Sequence, residues 1–206
     1  MELRTWLAGT AVGTAAILLG ASHVAALNLV ANGNFDDADQ VAGWTEVAAW
    51  SAEDWQGDPN SGSLVNTGPD GIAGNFLSRY CATVKPGEKI DVSAHARVAP
   101  GQAAGQVILL VVFWTNGCGT SSGLTNFASD PIAETGNWEP VTLGTLDVPA
   151  TAHGADLQFT VSKSAMSGTL AASLDDVFVP EPDSAAGGVA MLLSVAALKR
   201  VRWLSR

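Results

Sequence analysis

Between residues 88 and 98 the chain alternates with a period of two. Ile90, Val92, Ala94, Ala96 and Val98 are apolar, and Asp91, Ser93, His95 and Arg97 stand between them. Successive side chains of an extended chain point to opposite faces, so this pattern predicts a strand with one face in a core and the other in water. Leu157, Phe159 and Val161 repeat it against Gln158, Thr160 and Ser162. Val107 to Trp114 (VILLVVFW) is apolar throughout and rich in β-branched residues, which predicts a central strand covered on both sides. Further strands are expected near 27–31, 44–49, 62–66, 76–84, 138–147 and 170–179. Turn signals separate them: Lys85-Pro86-Gly87, Ala99-Pro100-Gly101, Asn116-Gly117 and Thr135-Gly136-Asn137. No stretch between these turns sustains a 3.6-residue period. Eight or nine short strands in about 150 residues predict an all-β fold, a single β-sandwich with a jelly roll as its natural topology, although the pattern leaves strand order open.

The two ends follow other rules. Arg4 precedes an uncharged apolar stretch, Leu7 to Leu19, and small residues lead to Val24-Ala25-Ala26. This is the layout of a secretory signal peptide over 1–26, cleaved before Leu27; an N-terminal anchor is the alternative, but the apolar stretch is well short of the ~20 residues a spanning helix needs. At the other end, Pro180-Glu181-Pro182 should break the preceding strand, because proline removes ladder donors and fixes φ. A small-residue apolar run follows, Ala185 to Leu198, and then Lys199, Arg200, Arg202 and Arg206 close the chain. A short apolar helix ending in cations is expected to stop in a membrane with its charges on the cytoplasmic side; its length alone would also suit a core helix, which the flanking prolines and terminal cations oppose. The order Pro-Glu-Pro, apolar helix, basic end resembles the PEP-CTERM sorting signal of Gram-negative bacteria. That resemblance covers residues 179–206 and implies an exosortase as partner, removal of the tail, and a place in the cell envelope or its exopolysaccharide matrix. The basic cluster departs from it in being interrupted by Val201, Trp203 and Leu204.

Residues 27–179 remain as one domain of ordinary size, able to bury its own core. The whole chain carries −10, and its twenty acidic residues all lie in this domain except Glu2, Glu181 and Asp183. The domain's cations are Arg79, Lys85, Lys89, Arg97 and Lys163. Such a balance excludes a nucleic-acid binder resting on phosphate contacts. It suits an extracellular surface and a divalent-cation site. Cys81 and Cys118 are the chain's two cysteines. In an exported domain they are expected to pair, since neither a further thiol nor a nearby His supports a metal site or a nucleophile.

The domain opens Asn28-Leu29-Val30-Ala31-Asn32-Gly33-Asn34-Phe35-Asp36, with Gly43-Trp44 after it, and closes Leu174-Asp175-Asp176-Val177. These framing patterns resemble the CenC-type carbohydrate-binding modules, which are galactose-binding-like jelly rolls. The resemblance implies that the two ends meet at a structural calcium, held by Asp36, by a carbonyl at Asn34 and by Asp175. Hard oxygen ligands from separate strands are what calcium takes. The plainer alternative has Asp36 and Asp37 capping a turn, with Asp175 and Asp176 at a solvated strand edge. Sugars dock their apolar faces on aromatic rings, and Trp50 and Trp55 lie in a polar, loop-like stretch. They are the leading candidates for ligand contacts, with Trp138 as a third. Trp44 and Trp114 are expected in the core.

No catalytic constellation stands out. His23 leaves with the signal peptide, His95 sits on the polar face of a strand and His153 lies in a loop; no H-E-x-x-H, G-x-S-x-G or phosphate loop is present. The sequence therefore points to a non-catalytic surface or matrix protein that binds a polysaccharide. A structural envelope protein that binds no sugar is the alternative.

Overall fold

The computed structural model describes residues 27–36, 38–119 and 123–181. The expected signal peptide and the sorting tail from Pro182 onward lie outside these residues. Among the described residues ten strands form two antiparallel sheets, packed face to face as a jelly-roll sandwich. The first sheet consists of β1 (Trp44–Glu46), β4 (Gly74–Thr83), β9 (Gly154–Lys163), β6 (Gly105–Trp114) and β7 (Gly123–Ala128), in the order β1-β4-β9-β6-β7. The second consists of β2 (Ala49–Ser51), β3 (Ser63–Gly68), β10 (Leu170–Phe178), β5 (Lys89–Val98) and β8 (Glu139–Asp147), in the order β2-β3-β10-β5-β8.

The alternating positions fill the space between the sheets. Val92, Ala94, Ala96 and Val98 from β5 meet Leu157, Phe159 and Val161 from β9 and Leu109, Val111 and Phe113 from β6 in one buried cluster. Burying each of the larger side chains contributes about 1.5–3 kcal/mol. Asn66 of β3 reaches through this apolar layer and donates to the carbonyls of Phe76 and Phe159 at 2.9 Å each, which ties the second sheet to the first.

Two expectations need correction, and one strand was not expected. The segment 27–31 is not a strand; it contributes a single bridge, Asn28 to Pro180. The stretch 44–49 is divided, because Glu46 adopts a positive φ of 68° and the chain crosses there from the first sheet to the second. β7 carries no periodic signal, being exposed along its whole length at a sheet edge.

The ends of the described domain do meet. Asn28 accepts from the amides of Val30 and Val179 and donates to the carbonyl of Val177 at 2.7 Å. Leu29 and Val179 are joined through the backbone at 2.7 Å, as are Glu181 and Leu27 at 2.8 Å. Gly33 has no room for a side chain, since a Cβ there would land on the carbonyl of Val177. β10 ends at Phe178, and Pro180 follows as a lone bridge partner.

Candidate functional site

Directly paired residues of antiparallel strands share a sheet face. On the first sheet, Cys81, Asp156 and Val112 form one row; Arg79, Gln158 and Leu110 the next; Leu77, Thr160 and Ile108 the third. These rows point away from the core, because the alternate residues Leu157, Phe159, Leu109 and Val111 fill it. Yet Asp156, Gln158 and Thr160 are only 1%, 8% and 7% exposed. Leu77, Ile108, Leu110 and Val112 on either side are half-buried. The flanking side chains thus stand over β9, and the face is a shallow trough with polar groups on its floor and apolar side chains along its walls. The adjacent strands β6 and β9 differ from expectation in an informative way. The apolar run of β6 is covered on one side and half-open on the other, whereas the alternating strand β9 is the one buried on both faces.

The floor is wired. Arg79 Nε donates to the two Asp156 oxygens at 3.1 and 3.3 Å, Nη2 also bonds Asp156, and Nη1 reaches Glu46 Oε1 at 3.1 Å. Gln158 Nε2 donates to the same Asp156 at 2.6 Å. A buried carboxylate is tolerated because three donor groups surround it. On the β7 side, Asn126 and Ala128 extend the rows of Val112 and Leu110. Cys81 and Cys118 form the expected disulfide, with 5.8 Å between their Cα atoms. Cys81 is the ladder partner of Asp156, so the bridge draws the segment after β6 across one end of the trough. Gly154 admits this approach, as a Cβ there would lie 3.0 Å from the backbone of Gly117.

The tryptophans chosen from sequence go elsewhere. Trp50 pairs with Leu64, packs against the hydrophobic cluster and donates its indole N–H to the carbonyl of Phe35 at 3.0 Å. Its position in a polar stretch concealed an inward-facing strand residue, and its ring fills the space left by Gly62. Trp55 stacks on His95 with centroids 3.6 Å apart and planes within 9°, on the outer face of the second sheet. Trp138 is half-buried just before β8; continuing the register Ala96↔Glu139 by one residue puts it across from Arg97. Arg97 itself donates to the carbonyl of Gly136 and to Glu53, both at 2.8 Å. Trp55 and Trp138 thus belong to the second sheet, while Trp114, assigned to the core from sequence, ends β6 half-buried at the trough.

Behind Trp55 lies a chain of oxygens. Asp175 is 1% exposed and accepts from the amide of Trp55 at 3.0 Å. Desolvation, with Asp54 beside it, pushes its pKa up to about 7, against the pull of the Trp55 and Asp176 amides. Asp54 is itself desolvated, but hydrogen bonds from the Asp58 amide, Asp175, Ser61 and the Gln56 amide outweigh this and hold it below the usual carboxylate range. Ser61 stands within hydrogen-bond reach of both Asp54 and the carbonyl of Asn34, with one proton to give to either. The structure therefore joins Asn34 and Asp175 through Asp54 and Ser61. Asp36 is exposed and takes the side-chain amide of Asn34 at 2.9 Å. Among the described residues no three His, Cys, Asp or Glu side chains gather into a metal-binding group. The donors that do converge are all hard oxygens, of the kind calcium accepts.

No family model and no curated protein matches this sequence. Solved structures do match in fold. The second family 16 carbohydrate-binding module is 15% identical, with a TM-score of 0.51 over 75% of this chain and 100% of that one. The CBM22-2 xylan-binding domain of Paenibacillus barcinonensis Xyn10C is 16% identical, with a TM-score of 0.51 over 72% of this chain and 97% of that one. The enzymatically active domain of bacteriophage CBA120 tailspike protein 4 gives a TM-score of 0.59 at 16% identity, but this chain, 74% of which is covered, spans only 21% of it. At these identities the likeness establishes the β-sandwich fold and nothing finer.

Proposed function

We propose that this chain is an exported, non-catalytic polysaccharide-binding protein whose binding face is the trough of the first sheet. The observation that carries the reading is the juxtaposition on one outer face of Leu77, Ile108, Leu110 and Val112 with Arg79, Gln158 and Asp156. A sugar ring presents an apolar face and a rim of hydroxyls, so it needs apolar surface beside fixed donors and acceptors. Two of the structures similar in fold are carbohydrate-binding modules by name, one of them xylan-binding, which supports the same reading. The disulfide suits an oxidising compartment. The signal peptide and the PEP-CTERM-like tail account for delivery to the envelope or its matrix, with an exosortase as processing partner and transient anchoring in the inner membrane. Retention of the purified full chain on insoluble or immobilised polysaccharides tests the proposal. Loss of retention in a Leu110→Asp variant that melts like wild type is expected; no retention on any polymer would defeat it.

Calcium is part of the proposal, with Asp175, Asp54 and the Asn34 carbonyl as its holders in place of the set built on Asp36. A cation there would offset the desolvation and the neighbouring Asp54 charge that raise the pKa of Asp175, and would tie the start of the domain to β10. Calcium should then raise the melting temperature at neutral pH by mass action, and Asp54→Asn should abolish that rise. The structural-envelope alternative draws on β7, an uncharged, open edge strand with exposed Leu124 and Phe127 suited to protein contacts.

A further inference from the structure

The cations of the described residues share one property. Arg79 is held by Asp156 and Glu46, Arg97 by Glu53, Lys85 by Glu88 at 3.3 Å and Lys89 by Asp147. Lys163 is 3% exposed and spends its three donors on the carbonyls of Pro69, Ile72 and Met166, at 2.9, 2.9 and 3.1 Å. All five are thus engaged within the chain. The lysine pairs at Lys85 and Lys89 are exposed and open readily; the two residues lie in the turn after β4 and at the start of β5, outside the rows of outward residues that form the trough.

Within the trough, Arg79 is the one cation and faces two carboxylates, so the floor carries a net negative charge. A uronate or sulfate arriving there would have to displace Asp156 from a multiply bonded, desolvated pair, and no second cation is at hand to offset the repulsion from Glu46. A neutral sugar meets no such obstacle. The exposed edge of the Arg79–Glu46 pair sets a donor nitrogen and an acceptor oxygen side by side, 3.1 Å apart. Two neighbouring ring hydroxyls satisfy that arrangement together, one accepting from the guanidinium and the other donating to the carboxylate.

We infer that the trough selects neutral polysaccharides bearing free vicinal hydroxyls and turns away polymers that carry carboxylates or sulfates. This rests on the polysaccharide-binding reading and adds the ligand class to it. The test is retention of the full chain on a neutral xylan or galactan and on polygalacturonate, in chelator so that calcium cannot bridge acid to acid, at low and high salt. Retention on at least one neutral polymer should change less than about twofold between roughly 20 and 500 mM salt, because no counter-ions are released. Polygalacturonate should be ignored at both. Glu46→Lys should gain salt-sensitive retention on polygalacturonate. Wild-type retention on polygalacturonate in chelator would overturn the inference and leave sugar binding standing, as would a folded Glu46→Lys that still ignores the acid polymer. Retention on no polymer at all would remove the underlying reading, and the ligand class with it.

Discussion

β9 and β5 are written in the same alternating pattern, yet their outward residues meet opposite fates. Asp156, Gln158 and Thr160 of β9 lie at the floor of a trough, while Asp91 and Ser93 of β5 are exposed to water. The neighbours make the difference. β9 runs between two other ten-residue strands, β4 and β6, whose outward Leu77, Arg79, Ile108, Leu110 and Val112 overhang it. The outward neighbours of β5 on β8 include the short Pro140 and Thr142, which cover little. Where β5 is covered, at His95 and Arg97, the cover is the loop after β2, with Trp55 and Glu53. The first sheet thus leaves most of its largely desolvated face free of any loop of the described residues, and the second uses its face to hold a loop of its own chain.

Several measurements would break or sharpen this contrast. The largest effect is expected from the disulfide: Cys81→Ser with Cys118→Ser releases a 38-residue closed loop, for which chain entropy gives a loss of about 4 kcal/mol in chemical denaturation. It should also weaken polysaccharide retention, because the segment after β6 is no longer held across the trough; unchanged affinity in a folded variant would mean that this segment is no part of the site.

Next comes the floor itself. Asp156→Ala takes the buried partner from Arg79 and leaves the Gln158 amide without its acceptor, and should cost about 2 kcal/mol. Asp91→Ala, at an equivalent alternating position of β5, should stay within about 0.5 kcal/mol. Equal losses at the two positions would erase the difference between the faces. For binding, Leu110→Asp should reduce polysaccharide affinity at least about tenfold, or 1.4 kcal/mol, while Trp55→Ala leaves it unchanged. The reverse result would move the site to the second sheet.

The last effect, read as a pH dependence, concerns the loop latch. The folded-state pKa of Asp175 lies near 7, above its ordinary 3.8. The native protein therefore binds more protons than the unfolded chain between these values, and this group's contribution to stability is complete below pH 4 and disappears as pH rises to 7. In chelator, melting should shift down across that window, and Asp175→Asn should flatten the shift. A wild-type slope no steeper than that of the variant would separate Asp175 from the latch.

Much of the fold could be read directly. Period-two apolar residues named β5 and β9, and the paired cysteines foretold a real bridge. The motif Asn28 to Asp36 and the closing Asp175-Asp176-Val177 do lie together, through Asn28, Gly33 and Val177, where the family resemblance implies a meeting at calcium. β7 was invisible because an edge strand exposed along both faces has nothing to alternate for. Trp50 was misplaced because its burial comes from Phe35 and Gly62, distant partners that its polar neighbours do not announce. Asp54 was overlooked among many acids; one faint signal was that it lies in the same polar loop as Trp55, beside Asp58 and Ser61, which it bonds.

What the sequence determined by itself was local or covalent: which segments extend, where they turn, that two thiols are available to pair, and that the domain is acidic. These follow from short-range sterics and from the need to bury one face of each strand. Which face became a trough, which tryptophan turned inward, and which two carboxylates came to lie side by side were decided only by tertiary structure. The physical reason is that burial of an outward residue depends on the length of the side chains beside it. Those neighbours arrive through a strand order, β4-β9-β6, that no periodicity along the chain contains.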